Sequence, residues 1–310
     1  MSDTMLSRVA DHLYWMGRYV ERTEHTARVL NVQTHLALEE SPTNRTRRMR
    51  HVLNALRQPD LAVGSFEEAA LILTLDAGNP ASVRSCVRLA RENARQIRER
   101  ISSEMWEQVN RMHLHVNQAE RSKDLVDQPH EVYNGVLVGS HLFNGVTDST
   151  MSHDQGWQFI QVGRWLERAG LLVSLLDTHL RGEGTNSYLD WLGLLKSCTA
   201  YEAFRKKIGS DFDPVCVGEF LILSETFPHS LRFAVTELRR SLQELAEETE
   251  NRKTRELDRV LGKMHHDLEY ARAEEVVHGD LAAYFERFRQ DLMRVHTLLY
   301  RLYISWEVEF

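Results

Sequence analysis

Residues 9–30 read VADHLYWMGRYVERTEHTARVL, and this stretch decides the fold class. Its inward positions recur at spacings of four and three, which is the pattern of a helix that places one face on a core. These positions are Val9, Leu13, Met16, Val20, Thr23, Ala27 and Leu30. The stretch contains no proline, so nothing interrupts the pattern. A long helix near the N-terminus is predicted.

The rest of the chain is equally poor in helix breakers. It has 310 residues and only 6 prolines. The proline-free stretches are 1–41, 81–128, 130–213 and 229–310. Turn-rich β folds use proline and glycine often, and no alternating strand pattern is visible, so the sequence predicts an all-α protein.

Further helix starts are predicted from capping signals. A second helix is expected from Asn79-Pro80, with an apolar stripe that continues to Met105. A third is expected after a capping box formed by Ser152 and Gln155. The other two are expected from Pro228 to about Asn251 and from about Asp280 to the C-terminal region.

An internal repeat organises these helices. Residues 17–22 (GRYVER) match residues 163–168 (GRWLER) at an offset of 146, with four of the six positions identical. Two further matches follow in the same order, 71–73 with 221–223 and 80–84 with 228–232. The sequence therefore predicts a large helical bundle made of two related halves, about 1–150 and 151–310. No linker rich in Gly, Ser or Pro separates the halves, so one domain covering 1–310 is expected.

The repeated segment carries the first candidate site. Gly17 and Gly163 indicate the close approach of another helix, because glycine in a helix interior otherwise costs about 1 kcal/mol relative to alanine. Glu21 and Glu167 follow one turn later, where a carboxylate is expected to be buried and paired with an arginine. One interpretation is an ion-pair network that sets helix register. Another is an anion or nucleotide-phosphate site, with Arg18, Arg22, Arg28, Arg164 and Arg168 as its binding residues.

A row of arginines is the second candidate site. Arg84, Arg88, Arg91, Arg95 and Arg98 repeat the helical spacing one residue after the predicted apolar stripe. The row is either a solvated flank paired with nearby acidic residues, or a surface for phosphate, an acidic peptide or an acidic partner. No aromatic residues interleave it, and the net charge of the chain is −7, so nucleic-acid binding is not expected.

Familiar catalytic and cofactor motifs do not occur in the sequence. It contains no Walker loop, GxGxxG, GxSxG or HExxH motif, and no Glu-x-x-His pair links the two repeated helices, so neither a cofactor nor a metal is predicted. No apolar run of membrane-spanning length occurs, and charges throughout the first thirty residues argue against a signal peptide. The 3 cysteines form no CxxC pair. A cytoplasmic location is expected.

Five segments together resemble the alpha-E family, a group of bacterial all-helical proteins. They are 5–22 (MLSRVADHLYWMGRYVER), 79–95 (NPASVRSCVRLARENAR), 102–106 (SSEMW), 145–152 (GVTDSTMS) and 220–223 (FLIL). Members of this family are encoded near, or fused to, circularly permuted ATP-grasp proteins, transglutaminase-like proteins and a proteasome-like peptidase. The resemblance therefore implies a part in making or modifying a peptide or a small amide, with an ATP-grasp protein as partner.

Three functional hypotheses follow. The first is a non-catalytic helical partner that binds an ATP-grasp ligase, or its peptide or acidic small-molecule product, through the arginine-rich face. The second is an enzyme of the same amide-forming pathway, with Glu21 or Glu167 as general base and arginines that hold an acyl phosphate. The third is a phosphate- or nucleotide-binding module. Self-association into a homo-oligomer is left open.

Overall fold

The computed structural model describes residue 5 and residues 7–38, 41–122, 124–182, 187–210, 212–249 and 254–305. Throughout these ranges the regular secondary structure is helical, and they contain no strand. The predicted all-α class is confirmed. None of the helices in these ranges is both long enough and apolar enough to cross a membrane.

The helices follow one another in chain order with short connections. They are α1 (Ser7–Leu38), α2 (Pro42–Ala55), α3 (Phe66–Leu75), α4 (Val83–Gln96), α5 (Ser103–Ser122), α6 (Asp124–Asp127), α7 (Pro129–Thr150), α8 (Gln155–Arg181), α9 (Tyr188–Ser197), α10 (Tyr201–Lys207), α11 (Pro214–Gly218), α12 (Leu231–Glu248), α13 (Arg255–Glu269), α14 (Ala273–Val277) and α15 (Leu281–Leu299). A 3₁₀ turn covers Arg98–Arg100, and π-helical turns cover Glu219–Leu223 and Tyr300–Ile304.

The two longest helices, α1 and α8, pack against each other at the centre of the molecule. Helices α4 and α7 lie on α1, and α5 packs between them. Helices α12 and α15 lie on α8 in the same way, with α13 between them. The two halves also contact each other in matching ways. Helix α2 of the first half packs on α8 of the second half, and helix α9 of the second half packs on α1 of the first half.

Matching helix starts strengthen this correspondence. The hydroxyl of Ser82 accepts the amide of Ser85 at the start of α4 and donates to the carbonyl of Asp76. The hydroxyl of Ser230 does the same at the start of α12, where it donates to the carbonyl of Ser224. Such contacts are what a two-fold relation between the halves requires. A common origin of the halves, and the superposition of Arg84 on Arg232, stay predictions.

The predicted second helix is wrong in its extent. Helix α4 begins after Ser82 rather than at Asn79-Pro80 and ends at Gln96, so the chain to Met105 is not one helix. The hydroxyl of Ser102 accepts the amide of Met105 and caps a new helix there. The apolar stripe continues across the break, because Ile97, Ile101 and Met105 are all buried, so spacing alone could not reveal it.

Two other predicted starts shift by two residues. Asp154, not Ser152, caps α8 by accepting the amide of Gly156. Ser230, rather than Pro228, caps α12. The predicted end of that helix at Asn251 lies outside the described residues. The C-terminal helix begins after Asp280, as predicted.

Candidate functional site

Helices α1 and α8 cross at the two repeated glycines. A Cβ atom on Gly17 would lie less than 3.0 Å from the carbonyl oxygen of Ile160, and one on Gly163 would lie equally close to the carbonyl oxygen of Tyr14. Both obstacles are backbone atoms, so neither can rotate away. The predicted close approach is confirmed, and it is the same on both helices.

On one side of this crossing, two arginines of α1 hold Glu167 of α8. Arg18 Nε donates to Oε2 of Glu167 over 2.7 Å, and Arg22 Nε donates to Oε1 over 2.7 Å. The side chain of Glu167 is only 1% exposed. The carboxylate is therefore buried and paired with arginine, as predicted, and both of its partners belong to the other helix.

The other side has a corresponding buried ion pair with the helices exchanged, but one arginine makes both hydrogen bonds. Arg168 of α8 donates to both carboxylate oxygens of Glu21, over 2.5 Å and 2.8 Å. Arg164 lies farther away, with its Nε 3.7 Å from Oε2 of Glu21. Glu21 is buried as well. Each glutamate is thus neutralised by the partner helix, which fixes both the register and the angle of the crossing.

The electrostatics of the crossing favour ion pairing over acid–base chemistry. Burial by itself would raise the pKa of Glu167, but Arg18 and Arg22 outweigh it and hold the pKa well below its usual range. A carboxylate in that state is a weak base at neutral pH. Glu21 offers no better geometry, because Arg168 engages both of its oxygens.

Arg28, the remaining arginine of the first candidate set, serves a separate buried pair. Its Nη2 lies 2.5 Å from Oε1 of Glu24, and the same oxygen lies 3.3 Å from Nε2 of His141 on α7. Burial would raise the pKa of Glu24, but His141 and nearby arginines hold it well below its usual range. Arg28 therefore balances an internal carboxylate.

A cavity of about 1290 Å³ opens beside the crossing, between α2, α8 and α15. Glu167 and Arg18 line it at the crossing end. Its other arginines are Arg47, Arg50, Arg57, Arg181 and Arg289. Six guanidinium groups thus face two carboxylates, Glu167 and Asp177, and we refer to this cavity as the arginine cleft.

Both carboxylates of the arginine cleft are already engaged. Glu167 is held by the α1 arginines, and Asp177 accepts hydrogen bonds from Arg181 of α8 and Arg289 of α15. Among the described residues, neither Arg50 nor Arg57 has a carboxylate partner. The cleft therefore keeps positive charge that no internal anion balances.

Arg57 is held in an uncommon backbone conformation. Its φ is 60°, in the left-handed region that favours glycine, one residue beyond the C-cap of α2. The amide of Gln58 donates to the carbonyl of Leu53, which closes the helix end. The guanidinium donates to the hydroxyl of Ser174 and to the carbonyl of Gly170 on α8. A strained residue thus points a guanidinium into the cleft, and strain of this kind concentrates at functional positions.

Replacing Arg57 by glycine is expected to leave the free energy of unfolding unchanged within about 1 kcal/mol, because relief of the left-handed strain offsets the loss of two partly buried hydrogen bonds. Urea unfolding measures this. Arg57→Ala, which keeps the strain and loses the hydrogen bonds, is the matched control and should be less stable than Arg57→Gly. Equal stability of the two variants would contradict this account of the backbone.

The α4 arginines lie elsewhere. None of them lines the arginine cleft. Arg84 pairs with Glu120, Arg95 pairs with Glu92, and Arg91 donates to the side chain of Asn110 over 2.6 Å. Arg88 is exposed on the same helix. Arg98, predicted to extend the row, instead belongs to the 3₁₀ turn after α4 and donates to Ser103. A binding role for this row stays a prediction.

Three histidines near α1, α2 and α8 are kept neutral. Burial lowers the pKa of His25 to about 4, of His51 to about 4 and of His179 to about 3. In the unfolded chain each takes up a proton near pH 6.5. Stability is therefore expected to fall as the pH drops from about 6.5 to about 4, with a slope of about 1.4 kcal/mol per pH unit for each histidine.

Urea unfolding between pH 7 and pH 4 measures this loss. His179→Gln, which removes one such group, should flatten the pH dependence by one histidine's share. The variant His278→Gln, at an exposed end of α14, serves as the control. An unchanged slope in His179→Gln would show that the ring is protonated in the folded protein.

Within the described ranges, no three or more His, Cys, Asp or Glu side chains are grouped so that they could hold a metal ion. Of the residues in the first predicted site, Arg18 and Glu167 line the cleft. The others, Arg22, Arg164, Arg168 and Glu21, lie at the crossing and take part in its ion pairs. Sequence reasoning missed the cleft arginines of α2, α8 and α15. A signal was present at 43–50 (TNRTRRMR), where four arginines fall within eight residues.

The structure defines the class of protein: it is a helical bundle with a buried Glu–Arg crossing and an arginine-lined cleft. The chain belongs to the Alpha-E family, whose model matches residues 5–304 and is described as a predicted alpha-helical domain with a conserved ER motif. Among the described Glu-Arg dipeptides, those with a buried glutamate are Glu21-Arg22 and Glu167-Arg168, at the crossing.

The curated relatives are proteins without an assigned function. An uncharacterised protein of Mycobacterium bovis and two of Mycobacterium tuberculosis are each 26% identical over 268 residues. The match covers 77% of this chain but only 30% of each relative, so the chain spans about a third of the relatives' length. No solved structure matches the chain significantly.

Proposed function

We propose that this protein is a non-catalytic helical module that binds an anionic ligand, or an anionic segment of a partner, in the arginine cleft. The observation that carries the proposal is the charge around one cavity of about 1290 Å³, where two of the six lining arginines, Arg50 and Arg57, have no carboxylate partner among the described residues. Guanidinium groups bind carboxylates and phosphates through paired hydrogen bonds, so a cavity of this composition recognises such groups.

The overall charge of the protein makes the cleft more selective. The chain carries a net charge of −7, so the protein as a whole repels anions. A concave site of the opposite sign concentrates the local field and raises the rate at which anions enter. Arg50 and Arg57 are the groups best placed to bind, because the other four arginines of the cleft already pair with carboxylates. Arg18 pairs with Glu167, Arg181 and Arg289 pair with Asp177, and Arg47 pairs with Asp190.

The ATP-grasp partnership implied by the resemblance gives this binding a biological setting. An ATP-grasp enzyme supplies its own nucleotide site and passes through an acyl phosphate when it forms an amide. The module would then bind the enzyme, its acidic acceptor or its product, while the chemistry occurs on the enzyme. The weak basicity of Glu167 supports this role over the enzymatic alternative, in which Glu21 or Glu167 acts as general base.

A pull-down with the ATP-grasp protein that the family resemblance implies as partner tests the proposal and compares the two arginine surfaces. The double variant Arg50→Glu/Arg57→Glu reverses two charges in the cleft. The double variant Arg91→Glu/Arg95→Glu reverses two charges on α4. We expect the first variant to lose the partner at low and moderate salt and the second to retain it. The reverse result would assign binding to the α4 row, as the sequence alone allowed.

Catalysis by the isolated protein is a separate measurement. The purified chain is expected neither to hydrolyse ATP nor to bind it more tightly than other anions of similar charge. ATP turnover that disappears in Glu167→Gln would favour the enzymatic alternative. A correctly folded cleft variant that binds the partner undiminished would rule the arginine cleft out.

A further inference from the structure

The shape of the arginine cleft narrows the class of its ligand. The cleft follows α8 from Glu167 to Arg181, which are fourteen residues apart, so it is about 20 Å long at the rise of an α-helix. On the opposite wall, Arg50 and Arg57 lie seven residues apart on and just beyond α2. The unbalanced charges are therefore spread along an elongated groove rather than gathered around one point.

This spacing suits separate carboxylates better than linked phosphates. In an extended peptide, every second side chain points the same way, at intervals of about 7 Å, and about six residues span the groove. Arg50 and Arg57 are about 10 Å apart along the helix direction, which long guanidinium side chains can match to two such carboxylates. Directly linked phosphates lie much closer together and would crowd around one arginine.

An uncharged donor stands at the crossing end of the cleft. Arg18 donates to the hydroxyl of Tyr14 over 3.1 Å, and that hydroxyl lies 2.7 Å from Nδ1 of His296. A guanidinium only donates, so the arrangement in which the Tyr14 hydroxyl also uses its own proton has that hydroxyl donate to Nδ1, and we assign the ring proton of His296 to Nε2 on this basis. Burial and the charge of Arg18 lower the pKa of His296, so the ring is neutral at pH 7.

The neutral ring favours a neutral acceptor. His296 lines the cleft and offers an N–H group of the kind that a peptide carbonyl accepts. Leu292 and Met293 of α15 line the same wall, and Met293 is 70% exposed. These apolar surfaces match the methylene groups of a peptide, and a purely ionic phosphate ligand would leave them unused.

We propose that the arginine cleft binds an extended acidic peptide of about six residues, with Arg50 and Arg57 on side-chain carboxylates and His296 on a backbone carbonyl. The inference rests on the proposed function, because it names the ligand of the same site. It commits to a peptide and makes phosphate compounds the competing outcome of the test.

Fluorescence anisotropy with acetylated and amidated oligoglutamates tests the inference. Affinity is expected to rise with length to about six residues and then to level off, because additional residues lie beyond the groove. An oligoglutamine of the same length should not bind. Tripolyphosphate and ATP, used as competitors, should displace the peptide only at concentrations at least about tenfold higher than unlabelled peptide.

Variants assign the contacts. Arg50→Ala and Arg57→Gly should each weaken peptide binding about tenfold, the loss expected for one charged hydrogen-bonded contact. Arg88→Ala removes the same charge from exposed α4 and should change affinity by less than about twofold. His296→Phe should weaken the peptide but not tripolyphosphate, and His296→Gln, which keeps an N–H near Nε2, should restore part of the loss.

Two results separate the inference from the function on which it rests. Tripolyphosphate or ATP that binds as tightly as the peptide, and needs the same arginines, would overturn the peptide assignment and leave anion binding in place. Equal losses of affinity in Arg57→Gly and Arg88→Ala would show non-specific electrostatic attraction. They would overturn both the peptide assignment and the proposed anion-binding function. Peptide binding that is indifferent to length would also contradict the extended groove.

Discussion

Glu167→Ala is expected to lower the melting temperature by roughly 10 °C, because removing one partner of a buried ion pair costs about 3–5 kcal/mol. The substitution leaves Arg18 and Arg22, whose side chains are largely buried, facing each other without the carboxylate that pairs them. Calorimetry on the purified chain measures the effect. The loss comes from stranded charge rather than from lost packing, so Glu167→Gln should also be strongly destabilised.

Glu120→Ala provides the matched control. Glu120 also pairs with an arginine, Arg84, but both side chains are substantially exposed. Its loss should cost less than about 1 kcal/mol. Similar melting temperatures for Glu167→Ala and Glu120→Ala would mean that water reaches the crossing in solution, and the ion pairs would then not set the register of the helices.

Gly163→Ala is the second substitution with a large expected effect. An alanine in a helix interior normally stabilises by about 1 kcal/mol relative to glycine. Here the new methyl group would overlap the carbonyl of Tyr14, so α1 and α8 must move apart and every contact of the crossing loosens. We expect a net loss of about 3 kcal/mol, at the upper end of overpacking costs.

Gly262→Ala on α13 separates this steric effect from helix propensity. A Cβ there would meet no atom within 4 Å, so the substitution should raise stability by about 0.5–1 kcal/mol. Urea unfolding of both variants gives the comparison. A stabilised Gly163→Ala would show that the two helices can separate freely, contrary to the packing described.

The crossing could be predicted from sequence because all of its determinants are local. Gly17 and Glu21 lie one turn apart on one helix, and the same spacing recurs at Gly163 and Glu167. A glycine that lowers helix propensity, followed by a carboxylate beside an apolar face, indicates a close helix neighbour and a buried pair. What the spacing did not show is that each glutamate pairs with the other helix.

The arginine cleft could not be predicted in the same way. Its walls come from α2, α8 and α15, and Arg57 and Arg289 are brought together only by packing between distant segments. The sequence contains many arginines, and nothing local distinguishes those that face a cavity. The α4 row is more regular in sequence than the cleft arginines, although its members Arg84 and Arg95 are paired with carboxylates.

The reciprocal crossing has a consequence for protein synthesis. Glu21 finds its arginine partner 147 residues later in the chain, at Arg168. At about 5–20 residues per second, the ribosome needs on the order of 10 s to supply that partner. During this interval the carboxylate of Glu21 stays in water, and the face of α1 that carries Gly17 has no α8 packed against it. The first half therefore reaches its final packing only after much of α8 has left the ribosome, and rare codons between the two segments would lengthen the exposure.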